Sequence, residues 1–119
     1  MTALLAILNQ VPGSASGGTL NVTATPSVAG AYVPGAGTWT TNSITASASG
    51  GTGPYTYAWT FVSGAASIAA TAAMSATTAW TLTTTGPIAQ KTATWGVTAT
   101  DSASHTATAY VTVNFTGNL

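Results

Sequence analysis

The chain has 119 residues and almost no charge: one Lys (Lys91), one Asp (Asp101), no Arg and no Glu. A single carboxylate cannot form an acid–base pair, and one basic residue is not a phosphate-neutralising patch. Asp101 with His105 is too small a set for a metal site. No enzymatic activity, nucleic-acid partner, metal or cofactor is therefore expected, and the composition points to a structural or binding role.

Charged residues make up 2% of the chain, against about 25% in an average globular protein. Such polar, low-complexity composition is common in disordered chains. Here a mean hydropathy of +0.36 and four Trp, four Tyr and two Phe in periodic runs predict a packed core instead. A neutral surface of hydroxyls and amides responds little to salt or pH. It also lacks the like-charge repulsion that opposes self-association. With no Cys, no disulfide supports the fold. No apolar run approaches the ~20 residues that span a membrane, so no membrane partner is expected. The apolar N-terminal stretch lacks the basic flank of a secretory signal, so no signal peptide is expected.

Residues 1–18 read as an apolar arm and a tether. Leu4, Ile7, Leu8 and Val11 follow i, i+3, i+4, i+7 spacing, which predicts a short amphipathic helix. Thr2 suits its N-cap and Pro12 its end. Ten residues is marginal for an isolated helix, so the segment needs a surface, on its own domain or on a neighbouring subunit. The flexible Gly13–Gly18 run (GSASGG) favours the neighbour. Leu4, Leu5, Ile7, Leu8 and Val11 are the expected partner-binding residues.

From Thr19 to Leu119 the pattern changes to period two, the mark of half-buried strands. Leu20, Val22 and Ala24 alternate up to Pro26. Residues 30–37, with Pro34 and several Gly, read as a loop or an irregular edge. Ile44, Ala46 and Ala48 alternate before Gly50-Gly51. Tyr55, Tyr57, Trp59 and Phe61 share a face. Residues 65–76 are Ala-rich, so helix propensity competes with a short strand and loop. Trp80 and Leu82 mark a further strand, then Trp95, Val97 and Ala99. Asp101–Ser104 forms a turn, with Asp suited to bonding its own backbone. Ala107, Ala109, Val111 and Val113 line one face of the last strand. About seven strands with regular turn signals predict an all-β, immunoglobulin-like antiparallel β-sandwich over 19–119. Thr-rich strands fit it, since β-branched side chains suit a pleated surface.

Gly50–Phe61 (GGTGPYTYAWTF) resembles the segment entering the third strand of PKD-like bacterial and phage immunoglobulin-like domains, often G-G-x-x-P-Y-x-Y-x-W. The resemblance implies that Trp59 is the core Trp of that strand, with Tyr57 beside it. Trp95–Val113 (WGVTATDSASHTATAYVTV) resembles the family's closing hairpin, which makes Asp101 its turn aspartate, a structural residue. The chain departs from the family after the Trp, where many members read Asp-Phe-Gly-Asp and this one reads Thr60-Phe61-Val62-Ser63. A calcium or polar network built on those acids is therefore not expected. As a whole the chain is similar to small neutral phage virion proteins. That likeness implies a non-enzymatic capsid decoration (cement) or fibre protein, homo-oligomeric, assembled in the host cytoplasm and carried on the virion. Its partners would be capsid or other virion proteins and its own copies.

The remaining motifs have plain readings. Asp101, His105, Ser102 and Ser104 lie on one hairpin, where a triad would have no cleft. Lys91 and Asp101 invite an isopeptide bond of the pilin type, but no second acid is present to catalyse it. Asn21-Val22-Thr23 and Asn114-Phe115-Thr116 match the glycosylation sequon, a chance match where Thr is so frequent. Tyr57, Trp59, Trp80 and Trp95 are expected in the core. Tyr32 and Trp39, in the Gly/Pro-rich region, are the candidates for a surface aromatic contact. They carry the alternative function, a carbohydrate-binding or adhesive module with a glycan partner.

Overall fold

Alternation in the sequence becomes alternation of burial in the structure, a computed structural model that describes residues 17–119. The arm residues Leu4, Leu5, Ile7, Leu8 and Val11 lie outside the described residues. The strands are β1 (Gly17–Thr25), β2 (Val28–Val33), β3 (Gly37–Thr40), β4 (Ile44–Gly51), β5 (Thr56–Gly64), β6 (Ala69–Ala70), β7 (Thr77–Thr78), β8 (Trp80–Thr84), β9 (Lys91–Thr100) and β10 (Thr106–Gly117). The described residues contain no helix, and the fold is all-β.

One sheet has four strands in the order β2–β10–β9–β5. Its central pairs are antiparallel, while β2 runs parallel to β10. Two three-stranded sheets, β1–β4–β7 and β3–β8–β6, are antiparallel throughout. These two are nearly continuous. Residues 41–43 separate β3 from β4, Ala79 alone separates β7 from β8, and Thr41 N–H donates to Trp80 O at 2.9 Å across the break. Pairing moves from Thr40↔Thr81 to Ile44↔Thr78, four residues along one strand for three along the other. That extra residue is a bulge. The Thr41 hydroxyl holds it, accepting from Trp80 N–H (3.1 Å) and donating to Asn42 O (2.8 Å), in place of ladder bonds.

Between the sheets lies one apolar core. Val22, Ile44, Ala46, Trp80 and Leu82 come from the smaller sheets. Ala29, Val33, Trp59, Trp95, Val97, Val111, Val113 and Phe115 come from the larger one. Trp80 stands edge-on to Trp59 (5.4 Å) and Trp95 (6.1 Å), so one indole bridges the two layers. Each such pair adds about 0.5–1.5 kcal/mol to the area term. Phe61 meets Trp95 edge-on at 6.0 Å but is 42% exposed, which marks the end of the core.

One long side of this sandwich-like body is strapped shut. Residues 72–76 cross it, and Trp59 N–H of β5 donates to Ala73 O (2.7 Å) while its ring N–H donates to Ser75 O (2.8 Å). Ala46 N–H of β4 donates to Ala76 O (2.7 Å). One short segment therefore bonds both layers, and its Ala side chains are small enough to let the backbones approach. In the Ala-rich 65–76 stretch the short strand and loop have won over the helical turn.

The strand count is ten rather than about seven. The bulge divides two strands, and β6 is a two-residue addition. Val28–Val33 is an edge strand where the sequence suggests a loop or irregular edge. Thr112–Gly117 of β10 supplies its partner, so Pro34 merely ends it. β1 begins at Gly17, inside the expected tether.

Candidate functional site

The most heavily bonded polar group described is the Asp101 carboxylate. Its Oδ2 accepts from Thr52 N–H (3.0 Å) and lies 3.1 Å from His105 Nδ1; its Oδ1 accepts from Ala103 N–H (3.0 Å) and His105 N–H (2.8 Å). The side chain is excluded from solvent, while His105 is exposed. Desolvation pulls the carboxyl upward, but the bonds from Thr52, His105 and Ala103 outweigh it and hold the pKa at about 2, below the ordinary 3.8. Asp101 thus closes the β9–β10 turn and ties it to the β4–β5 loop. Gly51 lies against it with φ +58°, and a Cβ there would strike the carboxylate. The Ser102 hydroxyl donates to Thr52 O (3.0 Å), so it also serves the turn. Lys91 starts β9 and Asp101 follows its end, which separates them by roughly 30 Å of extended strand.

The two aromatics singled out from the Gly/Pro-rich region part company. Tyr32 is 57% exposed on the outward face of β2. Trp39 is half-buried on β3 and packs against the core; its ring N–H reaches Gly35 O (3.2 Å) and Thr84 Oγ1 (3.3 Å). A residue not singled out, Tyr110, is 64% exposed on the outward face of β10. Its ring lies beside Gly96 of β9, where its Cδ1 and Cε1 would stand 3.3 Å from an added Cβ. The signal was present in the last strand: with Ala109 and Val111 facing inward, Tyr110 must face outward. Tyr57, Trp59, Trp80 and Trp95 lie in or against the core as expected.

The side opposite the strap is built differently. Asp101 N–H donates to His105 O (3.0 Å), and with one-for-one register this aims the main-chain groups of odd-numbered β10 residues at β9. The even-numbered residues point the other way, as Thr112 N–H does in donating to Ser27 O (3.1 Å). Pairing with β2 begins only at Thr112. Among the described residues no strand therefore pairs with the N–H and C=O groups of Thr106, Thr108 and Tyr110, although β1 packs beside β10. A cleft of about 460 Å3 opens at the Thr106 end of this stretch, lined among the described residues by Gly18, Thr19, Leu20, His105 and Thr106. The inward residues Ala107 and Ala109 of this half are only half-buried, while Val111, Val113 and Phe115 of the paired half are buried.

These features can bond a backbone, cover apolar surface or stack on a ring. Among the described residues no three metal-ligating side chains come together. Comparison with family models, with curated proteins and with solved structures finds no match to this chain.

Proposed function

We propose that the chain is an immunoglobulin-like virion component of PKD-like type, a capsid decoration protein that binds its shell and its own copies. Joining β3 to β4 and β7 to β8 across the bulge gives one layer in the order β1–β4–β7/β8–β6 against β2–β10–β9–β5. That order supports the immunoglobulin-like reading, with the first strand shared between layers. The observation that carries the functional reading is the β10 edge left unpaired among the described residues, on a chain with almost no charge. Main-chain pairing and apolar burial remain as the means of holding a partner. The arm residues Leu4, Leu5, Ile7, Leu8 and Val11 supply apolar area at about 25 cal/mol per Å2, before ordering costs.

The test is the solution mass of the full chain beside a form lacking residues 2–16, at low and high salt. An oligomer indifferent to salt that becomes a folded monomer on truncation supports the reading. A monomer in both forms, or an oligomer that dissolves in salt, overturns it.

Tyr110 favours a second reading, a neutral-glycan module. One face of its ring rests beside Gly96 and the ring remains largely exposed, among Thr hydroxyls. Tyr32 stands on the same outward face, while the inward turn of Trp39 removes it from such a site. Loss of oligosaccharide binding in Tyr110→Ala, with unchanged mass, would select this reading over the first.

A further inference from the structure

We infer that the open half of β10, Thr106–Tyr110, receives residues 4–11 of a second copy as an added strand. This rests on the reading above of the arm as the assembly element, and goes beyond it by naming where the arm docks.

The receiving surface has what strand addition requires. Thr106, Thr108 and Tyr110 direct three N–H and three C=O groups away from β9, unpaired by any strand among the described residues, with β1 packed alongside. Such an edge is a template for another chain. The added strand would lie in line with β2, which already occupies the lower half of the same edge, so the sheet would continue with no change in β9 or β10. The inward neighbours are Ala107 and Ala109, small residues that leave room for large ones. The cleft of about 460 Å3 beside Leu20 is the space that Leu or Ile side chains would fill.

The arm has the matching chemistry and starts in the right place. Sixteen residues precede Gly17, and β1 begins beside the cleft, since Gly18, Thr19 and Leu20 line it. Sixteen residues reach about 50 Å when extended, enough to cross to a neighbour. The side-chain parity argues for that neighbour. As a strand, residues 4–8 (LLAIL) place Leu4 and Leu8 on one face and Leu5 and Ile7 on the other. In the slot such a strand covers one set and turns the other to the outward face of Thr hydroxyls. An arm that reaches across from a second copy brings that copy's body toward the outward face, where it can bury the other set as well. Strand pairing would replace the helical periodicity of the free arm, as tertiary context overrides local propensity.

The absence of Cys makes the test clean. Single variants Ile7→Cys and Leu8→Cys, one for each parity, are mixed with Thr108→Cys, or with Thr83→Cys on the outward face of β8 as a control, and oxidised mildly. Disulfide-linked pairs with Thr108→Cys should exceed those with Thr83→Cys by about ten-fold, because docking raises the local concentration of the two thiols. The double variant Ile7→Cys/Thr108→Cys should link chain to chain; a disulfide formed only within single chains would show the chain's own arm in the slot and overturn the proposal. Thr108→Pro removes an N–H that faces the slot and none that bonds β9, so it should weaken assembly while near-ultraviolet dichroism stays native. Absence of preferred linkage, with assembly still lost on deleting residues 2–16, overturns the docking site and leaves the assembly reading standing. A mass unaffected by the deletion overturns both.

Discussion

The two long sides of the molecule treat the same problem in opposite ways. On one, β5 is an edge strand, and residues 72–76 cross it at Trp59, bonding the main chain of Trp59 and of Ala46 and so tying the two layers together there. On the other, the start of β1 and Thr106 of β10 face a cleft, and the main chain of Thr106, Thr108 and Tyr110 is unpaired among the described residues. Soluble proteins commonly guard exposed edges with Lys or inward-pointing charges. A chain with one Lys and one Asp has no such means, so an edge here is either strapped by backbone or left able to pair. The contrast teaches that, among the described residues, one long side is tied across its layers by backbone while the other offers unpaired main-chain groups.

The largest expected effect sharpens that contrast. Trp59→Ala removes an indole that is 3% exposed and frees the strap, and should cost about 3–5 kcal/mol in denaturant unfolding. Leu20→Ala, at a cleft already open to water, should cost about 2 kcal/mol, the low end for such a truncation. Equal losses on the two sides would erase the distinction. Gly51→Ala comes next: the added Cβ meets the Asp101 carboxylate at a positive φ, and about 1–3 kcal/mol of strain is expected.

Acid should act on the tied end of the body. The folded pKa of Asp101 lies below its ordinary value, so its stabilisation is complete above pH 3.8 and is lost as pH falls toward about 2. The thermal midpoint should therefore decline across that window in the native chain and stay flatter in Asp101→Asn. The smallest effects belong to the outward faces. Thr45 and Thr77 (3.0 Å), Thr38 and Thr83 (2.8 Å), and Thr98 and Thr108 (3.0 Å) join hydroxyls across strands. Replacing one member by Val should cost about 0.2–1 kcal/mol on either face. A larger loss at Thr98 alone would mean that the open edge depends on its hydroxyl ladder.

Much of this was legible because side-chain parity survives folding. Leu20, Val22 and Ala24, Ile44 and Ala46, and the run from Ala107 to Val113 face inward as their alternation says. The turn role of Asp101 was legible from its neighbours, though the reach to Thr52, 49 residues away, was not. β2 was hidden because its partner is the far end of the chain, and parallel pairing leaves no hairpin signal nearby. The half-burial of Trp39 was hidden for a related reason. The groups that hold it inward include Thr84, 45 residues distant. The cleft could not be read at all, since an edge is open only relative to where other strands stop.

The parallel pairing of β2 with Thr112–Gly117 also orders events during synthesis. Val28–Val33 emerges early yet has no lateral partner until residues some 84 positions later have been made. The larger sheet can be completed only after Thr112–Gly117 has been made, so its closure is a non-local and comparatively slow step. Until then the nascent protein carries an apolar strand in search of a mate.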